Sequence, residues 1–127
     1  MPAPTMTFNA AGNILTSQAL ALSGTVTSAV MDFSTKFEGQ LTIKNTPGAA
    51  IAATRGLKIE CFAQYGTVPS TSLIAQILYQ LQSLTASTAE STILFLPSGK
   101  WTVKLTNLDA TNAVTIEVTS ATIDTIA

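Results

Sequence analysis

Seven carboxylates, a single thiol at Cys61 and no histidine are what the 127-residue chain offers for acid–base or nucleophilic chemistry. Histidine is the commonest general base and metal ligand, so its absence removes both roles at once. A Ser–His–Asp or Cys–His site would need its histidine from another chain. One cysteine can neither close an internal disulfide nor assemble a Cys-based zinc site within one chain. Cys61 also falls in phase with Leu57, Ile59, Ala63 and Tyr65, the pattern of a buried structural thiol and not of a nucleophile. Glu38 with Glu60, or Asp32 with Glu38, are the carboxylate pairs to weigh for glycoside hydrolysis. They stand at polar positions where a solvated strand face ordinarily carries acids, and nothing in the sequence raises their pKa. The sequence therefore predicts no catalytic residue and no enzyme.

Binding chemistry is equally sparse. Asn107, Asp109 and Asn112 offer oxygen ligands for Ca²⁺, but such a site usually gathers more than one carboxylate. Asn and Asp side chains capping their own turn account for the same residues, so no metal and no cofactor is expected. Trp101, Tyr65, Tyr79 and Phe62 are candidates for an aromatic sugar-binding platform. Trp101 keeps phase with Val103 and Leu105, which places it in the core. Phe62 is out of phase, among Lys58, Glu60 and Gln64, and is expected to be exposed at an interface.

The six basic residues, Lys36, Lys44, Arg55, Lys58, Lys100 and Lys104, form no run, which argues against nucleic-acid binding. Net charge is −1 and only 10% of residues are charged, against about a quarter in ordinary soluble domains. Hydrophobic content is 46%. So weakly charged a surface suits a chain that covers itself with copies or partners, with Ser and Thr hydroxyls solvating the rest. No apolar run is long enough to span a membrane as a helix, and Met1-Pro2-Ala3-Pro4-Thr5 has neither the basic nor the apolar region of an export signal.

The elements that must position these residues read as strands. Residues 1 to 13, with Pro2 and Pro4, are expected to form an extended arm, with Pro4, Met6 and Phe8 as contact residues and a single domain from 14 to 127. Removing such an arm would leave the fold stable. Ile14–Ser23 and Val26–Phe33 alternate loosely. Phe37, Gly39, Leu41 and Ile43 share one face of a clearer strand, with Gly39 a bulge candidate. Thr46-Pro47-Gly48 is a turn, and Leu57–Tyr65 is a strongly alternating strand. Residues 73 to 84 fit a strand better than a short helix. Thr92–Leu96 is a short apolar strand stopped by Pro97-Ser98-Gly99. Trp101–Thr106 and Val114–Thr119 alternate on either side of a turn-rich connection and are expected to pair as a hairpin, with Ile123 and Ile126 extending the last strand. Seven or eight strands at this spacing predict an all-β, antiparallel two-sheet sandwich, jelly-roll or immunoglobulin-like. Its core should hold Leu41, Ile43, Leu57, Ile59, Cys61, Trp101, Val103, Leu105, Val114, Ile116 and Val118.

The stretches Met31-Asp32-Phe33-Ser34-Thr35-Lys36-Phe37-Glu38-Gly39-Gln40 and Leu96-Pro97-Ser98-Gly99-Lys100-Trp101-Thr102-Val103-Lys104-Leu105-Thr106-Asn107-Leu108-Asp109 resemble small β-sandwich structural proteins of tailed bacteriophages. That resemblance implies a virion component made in the host cytoplasm: a capsid decoration protein first, or a neck, collar, tail or fibre accessory. It would act as a homo-oligomer, with a trimer favoured, bound to the major capsid protein or other virion proteins, without nucleic acid or membrane. A carbohydrate-binding module is the reading from another class, and would need exposed aromatics. A pilus or adhesin subunit would need an export signal.

Overall fold

A computed structural model describes residues 6–48, 56–65, 68–69, 77–81, 87–109 and 111–126. The described residues form ten strands: β1 (Met6–Leu20), β2 (Thr25–Thr27), β3 (Met31–Asp32), β4 (Glu38–Pro47), β5 (Leu57–Tyr65), β6 (Val68–Pro69), β7 (Ile77–Leu81), β8 (Glu90–Pro97), β9 (Lys100–Asn107) and β10 (Val114–Ile126). β4 shows why: its residues alternate between buried and more open along the whole strand. An extended chain sends successive side chains to opposite faces, so this sequence has one apolar face to hide.

Two antiparallel sheets hide it against each other. One has the order β1-β10-β4-β8, and in the other β9 lies between β2/β3 and β5, with β7 and β6 paired to β5. The passages β1 to β2, β3 to β4, β4 to β5, β7 to β8, β8 to β9 and β9 to β10 each cross from sheet to sheet. This is the double Greek key of a jelly roll, which settles the two topologies left open by strand spacing. The eleven residues expected in the core are all buried.

β9 and β10 do not form the expected hairpin. β9 pairs with β5, β2 and β3, and β10 pairs with β1 and β4, in opposite sheets. The connection is no two-residue turn, and it is held as a corner from both sides. Ser23 donates its N–H to the Asp109 carbonyl at 3.0 Å, and Leu108 donates to the Gly56 carbonyl at 2.8 Å.

Residues 6–13 do not stand off as an arm. They are the first half of β1, with Met6 opposite Ile126 and Phe8 opposite Ile123 of the same chain. Extended, proline-flanked backbone is as fit for an edge strand as for an arm, and β10 is long enough to pair with it. The expected Val26–Phe33 strand is split at Ser28. There Ser28 Oγ accepts the Val103 N–H at 3.0 Å while the Ser28 N–H donates to the Val103 carbonyl at 2.9 Å.

Phe37 is 54% exposed and does not join the face of Leu41 and Ile43. It precedes the first paired residue of β4, where the chain is still turning. Phe33 fills the core there instead, and Gly39 makes the space: a Cβ at Gly39 would lie 2.7 Å from Phe33 Cγ. The β4 register runs through Gly39 without a shift on either side, so the glycine is a packing position and not a bulge.

Candidate interaction surface

The groups weighed above for chemistry are buried, bonded or set in different sheets. Cys61 is fully covered between the sheets, and burial pushes its thiol up to about 12, so no thiolate forms near neutral pH. Glu38 lies on β4 and Glu60 on β5, in different sheets, and Glu60 pairs with Lys58 at 3.4 Å. Asp32 accepts from the Ser34 hydroxyl and backbone N–H. These two bonds hold its carboxyl below the usual range, opposite to what a general acid needs.

The Asn107–Asn112 corner is a self-capped turn. Asp109 Oδ1 accepts from the Thr111 N–H (2.8 Å), the Thr111 hydroxyl (2.8 Å) and the Asn112 N–H (3.1 Å), and Oδ2 accepts from Asn112 Nδ2 (3.1 Å). Asn107 Oδ1 accepts the Asp109 N–H, and its Nδ2 donates to the Ala21 and Asn112 carbonyls. Four donors, led by the Thr111 N–H, lower the Asp109 carboxyl to about 2. The oxygens a cation would want are committed to the turn's own donors. Among the described residues no group of three or more Asp, Glu, Cys or His side chains could hold a metal.

Of the residues expected at an interface, Pro4 lies outside the described residues, and Met6 and Phe8 are backbone-paired in β1. Phe62 corrects its expectation: it is 2% exposed. Its cross-strand partner Thr102 is also buried, so the outer face of the second sheet is covered at this end. Reading one apolar face along β5 could not anticipate a sheet covered on both. Of the aromatics weighed as a platform, Trp101 is core, with Nε1 donating to the Pro97 carbonyl at 3.0 Å. Tyr79 is exposed.

What the sequence reading missed lies on one flank of the sandwich. Among the described residues β8 is the last strand of the first sheet, β7 lies on the outer side of β5 in the second, and the two strands approach each other. Ile93 (50% exposed) and Phe95 (55%) stand on the outer face of β8; on β7, Tyr79 (41%) lies opposite the core residue Ile59, and Leu78 (67%) lies opposite Glu60 on the outer face of the second sheet. Leu94 and Ile77, which face the core, are only half-buried at this open side. Among β7 and β8 the sole charged residue is Glu90, so the edges lack the charges that ordinarily guard against pairing. The signal was present in the run Ile93-Leu94-Phe95-Leu96, apolar on both faces. Such a run reads as a strand covered on both sides, and here one side is open.

On the outer face of the first sheet, Lys44, Thr46, Thr115, Ile116 and Glu117 line a shallow cavity of ≈ 40 Å³. That is space for a few waters at roughly 10–15 Å³ each, far below the ~300 Å³ of a small-molecule site.

No protein family model matches the sequence, and no curated protein does. Solved structures share the fold at low identity. The K3 cleaved adhesin domain of Lys-gingipain from Porphyromonas gingivalis is 15% identical, over 79% of this chain and 64% of that one, with TM-score 0.52. The CBM35 of Cellvibrio japonicus Abf62 is 14% identical, over 97% and 96%, with TM-score 0.50. The enzymatically active domain of bacteriophage CBA120 tailspike protein 4 is 8% identical, over 95% of this chain and 19% of that one, with TM-score 0.51. The chain thus spans less than two thirds of the adhesin domain and about a fifth of the tailspike domain. At these identities the likeness establishes the fold: an all-β, two-sheet antiparallel sandwich.

Proposed function

We propose that the chain is a non-catalytic structural component of a bacteriophage virion, working as a homo-oligomer that decorates the capsid shell. The observation that carries this reading is the β7/β8 flank: among the described residues β8 has no strand on its outer side, and the two strands expose Ile93, Phe95, Leu78 and Tyr79 beside one charge. A surface of that kind is a liability unless something covers it. The low overall charge agrees with a molecule that is mostly in contact. The buried Cys61 thiol and the self-capped Asp109 turn support a role without catalysis. Because β1 from Met6 onward is committed to β10, association between copies is assigned to the flank and not to an N-terminal arm. A neck, collar, tail or fibre position draws on the same flank, and the fold is one that also stands in a phage tailspike domain.

Binding of carbohydrate is the second reading, favoured by the end-to-end likeness to a CBM35. The small cavity on the first sheet speaks against a sugar-sized pocket there. The test is co-sedimentation of the purified chain with phage shells lacking it, set beside a glycan array. Saturable binding to shells and a silent array are expected. Array binding without shell binding would replace the virion reading with the carbohydrate one.

A further inference from the structure

We propose that two copies of the chain pair edge to edge through β8, antiparallel, about a two-fold axis at Leu94. This deepens the oligomeric reading above and rests on the same flank. β8 is bonded to β4 along Glu90–Pro97 and, among the described residues, has no strand on its other side. An antiparallel self-pairing centred on Leu94 sets Ile93 opposite the partner's Phe95 and Phe95 opposite the partner's Ile93. Directly opposed side chains are the closest neighbours in such a ladder, and aromatic with β-branched is a favoured pair. The two most exposed apolar residues of β8 therefore complement each other only because the strand meets itself in reverse. A register one residue away would set Ile93 and Phe95 against residues of the opposite face.

Charge fits the same arrangement. The two copies of Glu90 fall at opposite ends of the ladder, just past the partner's Pro97, so like charges are kept apart. β7 runs beside β8 in the other sheet, so the junction also carries Tyr79 towards its counterpart and closes the half-open core at Leu94 and Ile77.

The area is adequate. An aromatic side chain carries roughly 150–250 Å², so the half-exposed Ile93, Phe95 and Tyr79 bring on the order of 300 Å² per subunit. Two subunits with their paired backbones then reach about 1,000 Å², the size of a weak but specific interface. A two-fold contact is isologous and closes at two, so the dimer takes the place of the expected trimer.

Sedimentation equilibrium of the full chain over a dilution series tests this. The expected mass is twice the 13.2 kDa of the chain, with Ile93→Lys and Phe95→Lys each monomeric and melting like the parent. Both side chains are exposed, so neither substitution threatens the core. Leu94→Cys is expected to form a disulfide between copies on mild oxidation. Opposed Cα atoms in an antiparallel pair lie about 4.5–5.5 Å apart, within the ~4.4–6.8 Å a disulfide spans. A parent that stays monomeric, a trimer, or a dimer unmoved by either lysine would overturn the proposal. A dimer that ignores phage shells would leave it standing and remove the virion reading instead.

Discussion

Replacing Trp101 by Ala removes the largest side chain at the β9 end of the core. Trp101 is buried, flanked in its ladder by Met31 on one side and Ala63 on the other. An aromatic of this size hides roughly 150–250 Å², worth about 4–6 kcal/mol at ~25 cal/mol/Å². The methyl that remains and partial collapse of the hole bring the expected loss to about 3–5 kcal/mol. The bond from Nε1 to the Pro97 carbonyl adds little, because Pro97 is exposed and water can replace the donor. With ~3–5 °C per kcal/mol for a domain of this size, Tm should fall by about 10–20 °C. Trp101 is the chain's one tryptophan, so the assay is urea unfolding followed by far-ultraviolet circular dichroism. Trp101→Phe should cost about 1–2 kcal/mol, since most of the area stays. A loss below about 1 kcal/mol for Trp101→Ala would mean that the two sheets do not close over this ring.

Gly39→Ala should cost about 1–3 kcal/mol in the same assay, because the new methyl must displace the Phe33 ring; a neutral result would show the ring free to move. The Asp109 carboxyl sits at about 2 against an ordinary 3.8, so the stability it contributes is complete above pH 3.8 and is lost as pH falls through about 2. Asp109→Asn should flatten the acid side of the stability profile in that window, and an unchanged slope would refute the capping role. Deleting residues 2–12 should lower Tm, against the expectation for a free arm, because it strips paired backbone from β10; an unchanged melting curve would restore the arm.

Where one sheet face is buried and the other wet, period-two alternation in the sequence was enough. Leu57, Ile59 and Cys61 on β5, and Val114, Ile116 and Val118 on β10, lie where their phase put them. Alternation says nothing about which sheet a strand joins. β9 and β10 follow each other in sequence yet part to opposite sheets, and what parts them is the bonding of the 108–113 corner to Ser23 and Gly56, neighbours only in space. Phase also fails where a sheet is covered on both faces, as at Phe62, and where the strand has not begun, as at Phe37. The candidate surface was legible as composition, too little charge for so much apolar content, but not as a place. Its location follows from β8 being the last strand of its sheet and β7 lying outside β5, among the described residues, a property of topology.

Whether the chain belongs to a virus particle is the most direct question. Cryo-electron microscopy of purified virions, with the copy number taken from mass spectrometry of the same particles, tests that directly. The prediction is two-sheet density on the outside of the capsid shell, in fixed ratio to the major capsid protein, with the β8 edges of two copies in contact. Purified particles without the chain would contradict it.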